Sequence, residues 1–257
     1  MLNSGQSTHS AHRYKSYLEC PRKWALDVIY NKEIAAGTII KGEEPHYFVR
    51  GKIAHVALAA MYSKEEYPIE VVDEYMRQEG YTLDTPGAAD GINAYTAYRE
   101  YYGSDSINAN NVVSVETEYQ LGKIEYTQRF DLVVEIDSKT YIIDHKVYSA
   151  VRPNDLALLS LDYQFIGLAL LGLVHFRNFA GVLVNVIGYD IKRGTARFHR
   201  QEIPISQVSA DSWLQTIKSV KLPEPPATKA EAMKFPAYMP DKCNGCRHIT
   251  TCHVGGS

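Results

Sequence analysis

The chain has 257 residues, of which 45% are hydrophobic and 22% are charged, a composition typical of a globular protein with a buried core. Its longest apolar stretch, Phe165 to Val174, is too short to span a bilayer, and Met1 to Ser10 lacks the apolar region of a signal peptide. We therefore expect a cytoplasmic protein with no membrane partner. The net charge of −3 gives no overall attraction to a polyanion, so binding to nucleic acid would require a local basic surface.

The first part of the chain is predicted to be mainly helical. Apolar residues recur at helical spacing in four segments, at residues 13–30, 51–62, 65–79 and 90–102. Pro21 must begin, kink or interrupt the first helix, because a proline ring disturbs a helix interior.

Beyond this helical part the pattern changes to strands. Strands are predicted at residues 112–121, 130–136, 140–147, 181–189 and 195–203. A hairpin turn is expected at Asp137-Ser138-Lys139, a buried helix at 154–176 and a further helix at 207–220. In the first strand, alternation places Glu116 on the face opposite the apolar side chains. The order of elements indicates an α/β fold with a mixed sheet.

We expect a single domain. Its parts would be a mainly helical part at about 1–105, a core at about 106–221, and a linker with a cysteine segment at about 222–257.

Two aspartates and a lysine form the first group that can carry chemistry. Asp131 is predicted to start one strand of the hairpin, and Asp144 and Lys146 lie near the end of its partner, on the same face. Converging carboxylates favour a hard divalent cation, which can activate water while the cation and the lysine neutralise charge on a phosphodiester. The alternative is an exposed salt bridge between Asp144 and Lys146 on an edge strand, which contributes little to stability.

Two further polar residues are candidates for the same site. His55 lies on an apolar helix, where it is either a packed core residue or a nitrogen ligand of the cation. Gln164 is the sole polar residue between Tyr163 and Val174, so its amide must hydrogen-bond either the backbone or the site.

The four cysteines of the chain form the second group. Cys20 lies near the start, and Cys243, Cys246 and Cys252 form a C-x2-C-x5-C pattern far along the chain, with Gly245 able to supply the tight turn of the C-x2-C segment. Because structural disulfides are rare in the cytosol, the pattern indicates a site for zinc or for an iron-sulfur cluster. The spacing does not distinguish between these two, and four unrelated buried thiols are the alternative.

Taken together, these motifs resemble those of a known family. They are Cys20-Pro21-Arg22-Lys23-Trp24, Gly51-x-x-x-His55, Asp131, Asp144-x-Lys146, Gln164 and the late C-x2-C-x5-C pattern, in this order between residues 16 and 252. The set is similar to the RecB-like nucleases of the PD-(D/E)XK superfamily, which include the AddB nuclease domain and CRISPR-associated exonucleases. The resemblance implies a restriction-endonuclease-like α/β core, with a central mixed β-sheet flanked by helices, an N-terminal helical part and a C-terminal iron-sulfur staple.

The resemblance also implies a role for each matched residue. His55, Asp131 and Asp144 would ligate magnesium or manganese, together with a backbone carbonyl next to Asp144. Lys146 would orient or activate the attacking water, and Gln164 would contact DNA or position Lys146. A [4Fe-4S] cluster, with Zn²⁺ as the alternative, would be held by Cys20, Cys243, Cys246 and Cys252.

Three positions depart from the family pattern. Leu168 stands where a tyrosine is usual, four residues after the glutamine, and Gln128 stands where a glycine is usual, three residues before the first aspartate. Asp144 replaces the commoner glutamate. None of these changes removes a metal ligand.

The implied function is that of a metal-dependent DNA nuclease, acting as an exonuclease on single-stranded ends. The alternatives are an endonuclease or RNA nuclease of the same fold, and a non-enzymatic, zinc-stabilised module that binds nucleic acid. The sequence contains no G-x-x-x-x-G-K-[ST] phosphate loop, so a helicase, recombination or CRISPR partner is expected to be a separate chain.

Overall fold

The computed structural model describes residues 10–39, 42, 44–103, 107, 111–149, 156–190, 192–237 and 243–254. The helices are α1 (Ala11–Glu19), α2 (Pro21–Ala35), α3 (His46–Tyr62), α4 (Pro68–Glu79), α5 (Ala88–Tyr102), α6 (Tyr163–His175), α7 (Gln207–Ser219), α8 (Lys229–Ala232) and α9 (Ile249–Val254). The strands are β1 (Val112–Gln120), β2 (Thr127–Ile136), β3 (Lys139–Tyr148), β4 (Phe179–Asp190) and β5 (Thr195–Ile203). A 3₁₀ turn, Leu158–Leu161, precedes α6.

The strands form one five-stranded sheet in the order β1-β2-β3-β4-β5. β3 and β4 are parallel, and the other neighbouring pairs are antiparallel. Parallel neighbours need a crossover connection, and the chain between β3 and β4 contains α6. The predicted mixed sheet flanked by helices is therefore confirmed.

The β2–β3 hairpin turns at Asp137 and Ser138, which have φ angles of 50° and 60°. A two-residue turn with both central residues in the left-handed region matches the twist of the flanking strands, and aspartate tolerates this region better than most side chains. The predicted turn is confirmed. It fixes which residues of β2 and β3 face one another.

Helices cover both faces of the sheet. Ile142 belongs to a hydrophobic cluster that includes residues of α1, α6 and α7, and its neighbour Ile143 belongs to a second cluster that includes residues of α3, α4 and α5. Successive residues of a strand point to opposite faces, so the two clusters lie on the two sides of the sheet. None of the helices in the described part of the chain is long and apolar enough to cross a membrane.

The segment after the proline-rich linker packs against α2. The ring of Trp24 lies edge-on to the ring of Phe235, with 5.7 Å between centroids, and Arg22 Nε donates a hydrogen bond to the carbonyl of Phe235 at 2.9 Å. Lys32 Nζ donates to the carbonyl of Pro226 at 3.0 Å. These contacts bring the late part of the chain to the helix that follows Cys20.

Two helix boundaries differ from the predictions because of capping residues. The predicted helix at 13–30 is two helices, since Pro21 begins α2 and Cys20 is the N-cap, with its Sγ accepting from the amide of Lys23 at 3.4 Å. The predicted helix at 154–176 is the shorter α6, because Asp162 caps it by accepting from the amide of Gln164 at 2.8 Å. Residues 154 and 155 lie outside the described residues.

Three further boundaries are corrected. The predicted helix at 51–62 begins earlier, at His46, and the predicted helix at 65–79 begins later, at Pro68. The strand that was predicted at 130–136 begins at Thr127, so Asp131 lies in the interior of β2 rather than at its start. This position places Asp131 within the β1–β2 register, one residue beyond the end of the β2–β3 ladder.

Candidate active site

Three acidic residues lie next to one another on β1, β2 and β3. The β1–β2 register places Glu116 opposite Asp131. The β2–β3 ladder ends where Leu132 pairs with Ile143, so Asp131 and Asp144 are the first residues beyond it. We call Glu116, Asp131 and Asp144 the acidic group.

β3 separates from β2 beside this group and remains paired with β4. The backbone amide of His145 donates a hydrogen bond to Asp131 Oδ2 at 2.8 Å, so a side-chain carboxylate takes the place of a strand carbonyl. The parallel ladder with β4 continues through Asp144 and Lys146. The separation therefore creates an opening at which these side chains meet.

Lys146 and Gln164 are joined to Asp144 in a closed arrangement. Gln164 Nε2 donates to Asp144 Oδ1 at 2.7 Å, and Lys146 Nζ donates to Gln164 Oε1 at 3.0 Å. Lys146 Nζ also lies 2.7 Å from Asp144 Oδ2, as an ion pair outside hydrogen-bond geometry. The side-chain amide of Gln164 thus hydrogen-bonds Asp144 and Lys146 rather than the backbone, and it orients both charged groups.

The alternative of an exposed salt bridge on an edge strand is wrong. β3 is the central strand of the sheet, and Asp144 is only 3% exposed. A buried carboxylate with one oxygen free of hydrogen bonds is costly unless a charge compensates it. Lys146 compensates part of this cost.

His55 on α3 reaches the acidic group from the helical side. Its Nδ1 lies 3.4 Å from Asp131 Oδ2, and its side chain is 29% exposed, unlike that of a packed core histidine. Ligand atoms of His55, Glu116 and Asp131 all lie within 4.8 Å of one another. One imidazole nitrogen and carboxylate oxygens form a donor set that suits magnesium or manganese.

The charges of the site are unbalanced. Burial raises the pKa of Asp144 to about 6, although the charge of Lys146 opposes the shift. Burial, together with the charge of Asp131, raises the pKa of Glu116 to about 7. Burial also disfavours ionisation of Asp131, but the charges around it, that of His55 first, hold its pKa below the usual range. Two of the three carboxylates therefore resist ionisation, and a bound cation would favour their charged forms.

The ring of His145 fixes β3 where it leaves β2. The ring is buried, and burial lowers its pKa to about 3, so it is neutral at ordinary pH. It stacks on Tyr62 with 6.0 Å between ring centroids, and Asn185 Nδ2 lies 3.4 Å from its Nδ1. These contacts hold the residue whose amide bonds Asp131.

Glu116 is the residue of this site that the sequence prediction missed. Simple alternation groups Glu116 with Ser114 and Glu118, but the register shifts by one residue between Val112 and Ser114, and Glu116 has a φ of 46°. A non-glycine residue in the left-handed region is uncommon and often lies at a functional site. A hairpin register between β1 and β2 would have been the signal that places Glu116 beside Asp131.

A sequence model described as "PD-(D/E)XK nuclease superfamily" matches residues 8–253, a span that contains the whole acidic group. The chain belongs to the PD-(D/E)XK nuclease superfamily. Its fold resembles the crystal structure of a putative exonuclease from Eubacterium rectale, with a TM-score of 0.50 and 11% identity over 96% of this chain and 93% of that one. At this identity the likeness concerns the fold alone.

A second solved structure, that of SSO0001, has 11% identity and a TM-score of 0.35 over 90% of this chain and 96% of that chain, which is too low to carry an argument. No curated protein sequence matches the chain.

In this PD-(D/E)XK nuclease, Gln164 is held from two sides. Asp162 Oδ1 accepts from the amide of Gln164, and Asp162 Oδ2 accepts from Lys15 Nζ of α1 at 3.0 Å. Gln128 Nε2 donates to the backbone carbonyl of Gln164 at 2.9 Å. Gln128, which departs from the family pattern, therefore supports the start of α6 through a hydrogen bond that a glycine cannot make.

α6 also approaches the sheet closely at Gly167. A Cβ at this position would overlap the hydroxyl of Tyr126 and the side-chain carbonyl of Gln128. Leu168, the other departure from the family pattern, is buried in the cluster beneath α6 and contributes packing rather than a polar contact.

The thiol of Cys243 interacts electrostatically with the thiols of the other three cysteines. Desolvation raises the pKa of Cys243, and the thiols of Cys252, Cys246 and Cys20 raise it further. The predicted tight turn is present, since Gly245 has a φ of 78° and the amide of Cys246 donates to the carbonyl of Cys243 at 3.0 Å. All four cysteines are free, and no three of their Sγ atoms lie within 4.8 Å of one another.

The arrangement around Gln164 predicts that Asp162 is a positioning residue. Asp162→Ala removes the N-cap and the ion pair with Lys15, and we expect kcat for nuclease activity to fall roughly tenfold with little change in KM, because Gln164 is misplaced. Asp162→Ser retains a capping oxygen and should retain most of the activity. Steady-state kinetics of both variants would test this.

The matched control is Lys229→Met, which breaks the ion pair with Glu33, at 3.2 Å, without affecting the contacts of Gln164. Wild-type kcat in Asp162→Ala would contradict the positioning role.

Proposed function

We propose that this nuclease is a RecB-like deoxyribonuclease that acts as an exonuclease on single-stranded ends of DNA. The observation that carries the proposal is the acidic group at the opening between β2 and β3, with Lys146 held against Asp144 by Gln164. Two converging carboxylates and a lysine at this point of the sheet suit hydrolysis of a phosphodiester better than a binding role, which would not require buried charges.

The donor set of the site fits a divalent cation. We propose His55, Glu116, Asp131 and Asp144 as the residues that would hold magnesium or manganese. The close approach of the ligand atoms of His55, Glu116 and Asp131 supports this assignment, as do the raised pKa values of Glu116 and Asp144, which a bound cation would lower. When bound, such a cation supplies Lewis acidity toward the phosphate and toward the attacking water.

Lys146 and Gln164 then have distinct tasks. Asp144 and Asp131 raise the pKa of Lys146 although its burial opposes this, so Lys146 stays protonated and can neutralise charge that develops on the phosphate. Gln164 holds the Lys146 ammonium in place and keeps Asp144 from rotating away. Both residues therefore contribute orientation that exists before substrate binds.

Contacts between the different parts of the chain support a single nuclease domain. We propose that the helical part, the core and the cysteine segment act together, since residues of α3 supply His55 to the sheet and the late segment packs on α2. The exonuclease mode is supported by the resemblance of the motifs to those of the CRISPR-associated exonucleases.

Cleavage assays with end-labelled oligonucleotides test the proposal. Wild-type protein with manganese should shorten free-ended single-stranded DNA from an end and should leave end-blocked DNA and RNA largely intact. Asp144→Asn keeps the volume and removes the charge, and we expect it to lower the rate by at least about a hundredfold. Glu116→Gln should raise the manganese concentration needed for activity, by about tenfold.

The control is Glu118→Gln on the exposed side of the same strand, which should cleave like wild type. Near-normal cleavage by Asp144→Asn would remove this site from consideration. Internal cuts in end-blocked DNA would indicate an endonuclease, and cleavage of RNA would indicate the other enzyme alternative.

We also propose that Cys20, Cys243, Cys246 and Cys252 hold a [4Fe-4S] cluster. Four thiols in one neighbourhood supply the right donors, and the cluster would join α2 to the segment beyond the proline-rich linker. A tetrahedral zinc site with bonds of about 2.3 Å would bring the sulfur atoms to roughly 3.8 Å from one another.

Replacement of Cys20 tests whether the cluster is a structural staple. Closing so long a loop restricts the unfolded chain by an amount on the order of 5 kcal/mol, by analogy with disulfides. We expect Cys20→Ala to lack iron, to be colourless and to melt at a markedly lower temperature, with activity lost through unfolding. Iron quantification and thermal melting would measure this, and an unchanged melting temperature after complete loss of iron would exclude a staple.

A further inference from the structure

Two large aromatic side chains are exposed at the start of α3. Tyr47 is 51% exposed and Phe48 is 56% exposed. Their ring centroids lie 4.8 Å apart with 32° between the planes, so the rings form a single tilted surface, which we call the aromatic step. Adjacent exposed apolar rings generally mark a surface that binds a partner or a ligand.

The aromatic step lies on the same face of α3 as His55. Phe48 and His55 are seven residues apart, which corresponds to nearly two turns and to about 10 Å along the helix axis. Gly51 lies on this face between them, and a Cβ there would meet no atom of the described residues within 4 Å. At position 51, therefore, no side chain of α3 stands between the step and His55.

We propose that the aromatic step stacks an unpaired base of a single-stranded DNA substrate, two or three nucleotides from the phosphate at the acidic group. This inference rests on the proposed function and specifies how the substrate is held. A separation of about 10 Å corresponds to roughly three nucleotides at 3.4 Å each in a stacked strand, and to fewer in an extended one.

The chemistry of the step favours an unpaired base. Flat aromatic surfaces stack on any base, and only a single strand presents a base with its faces free. A stable protein partner would need about 800 Å² on each side, whereas the step is two residues beside the charged pair of Lys52 and Glu44, whose ammonium and carboxylate lie 2.8 Å apart. The N-cap of α3 is Pro45, which makes no side-chain cap hydrogen bond, and a helix N-terminus carries partial positive charge that favours a phosphate.

The direct test uses single-stranded oligonucleotides in which 2-aminopurine replaces one base at successive positions from the end. Binding is measured without divalent metal, so that no cleavage occurs. We expect wild-type protein to quench the fluorescence strongly at one or two adjacent positions. Phe48→Ala should abolish that quenching and raise Kd about tenfold, while Phe48→Trp should restore both.

The matched control is Tyr101→Ala. Tyr101 is 63% exposed and stacks on Phe198 with 4.7 Å between ring centroids, but it lies on α5. Its replacement should leave quenching and affinity unchanged. Melting temperatures should show that these variants are folded, with at most a small decrease from the lost ring contacts.

Gly51 gives a second, independent test. Gly51→Ala and Gly51→Leu both improve helix propensity, and the added Cβ meets no atom of the described residues within 4 Å. If the strand passes over this position, only the leucine obstructs it, so Gly51→Leu should raise Kd for single-stranded DNA several-fold while Gly51→Ala binds normally.

Equal quenching and affinity in wild type and Phe48→Ala would overturn the stacking proposal and would assign the step to another partner. The nuclease proposal is judged separately, by cleavage with manganese. Cleavage without position-specific quenching would refute the stacking alone, and quenching without cleavage would refute the exonuclease alone.

Discussion

The separation of β3 from β2 after the pair of Leu132 and Ile143 is the feature on which the site depends. In a regular ladder the amide of His145 would bond a strand carbonyl, but here it bonds the carboxylate of Asp131. Because of that bond, the amide of His145 is not left without a hydrogen-bond partner. The two strands separate at this point, while β2 stays paired with β1 and β3 stays paired with β4. An opening of this kind in the middle of a sheet is rigid because packed helices cover both faces.

Rigidity matters because the opening holds charges that repel one another. Buried carboxylates on adjacent strands are unfavourable without a cation, and the raised pKa values of Glu116 and Asp144 express that cost. Hydrogen bonds from Gln164 and the ion pair with Lys146 offset part of it. The same interactions set the orientation of the ammonium before substrate arrives, so stability and preorganisation come from one network.

Much of the site could be predicted from sequence because it depends on local spacing. Asp144 and Lys146 share a face by strand alternation, and the turn at Asp137 and Ser138 brings Asp131 near them. Glu116 could not be assigned in this way, since a register shift and a positive φ in β1 alter simple alternation. Capping likewise decided the start of α6, because the side chain of Asp162 accepts the hydrogen bond from the amide of Gln164. The general lesson is that periodicity predicts faces within an element, whereas long-range pairing decides which faces meet.

The central claim is that the acidic group and His55 form one metal centre. Anomalous diffraction from crystals soaked in manganese tests this most directly, because it locates the ion without reference to activity. The account predicts an anomalous peak among His55, Glu116, Asp131 and Asp144, and its disappearance in Asp131→Asn crystals. Crystals of a protein that is active with manganese but shows no peak among these side chains would contradict it.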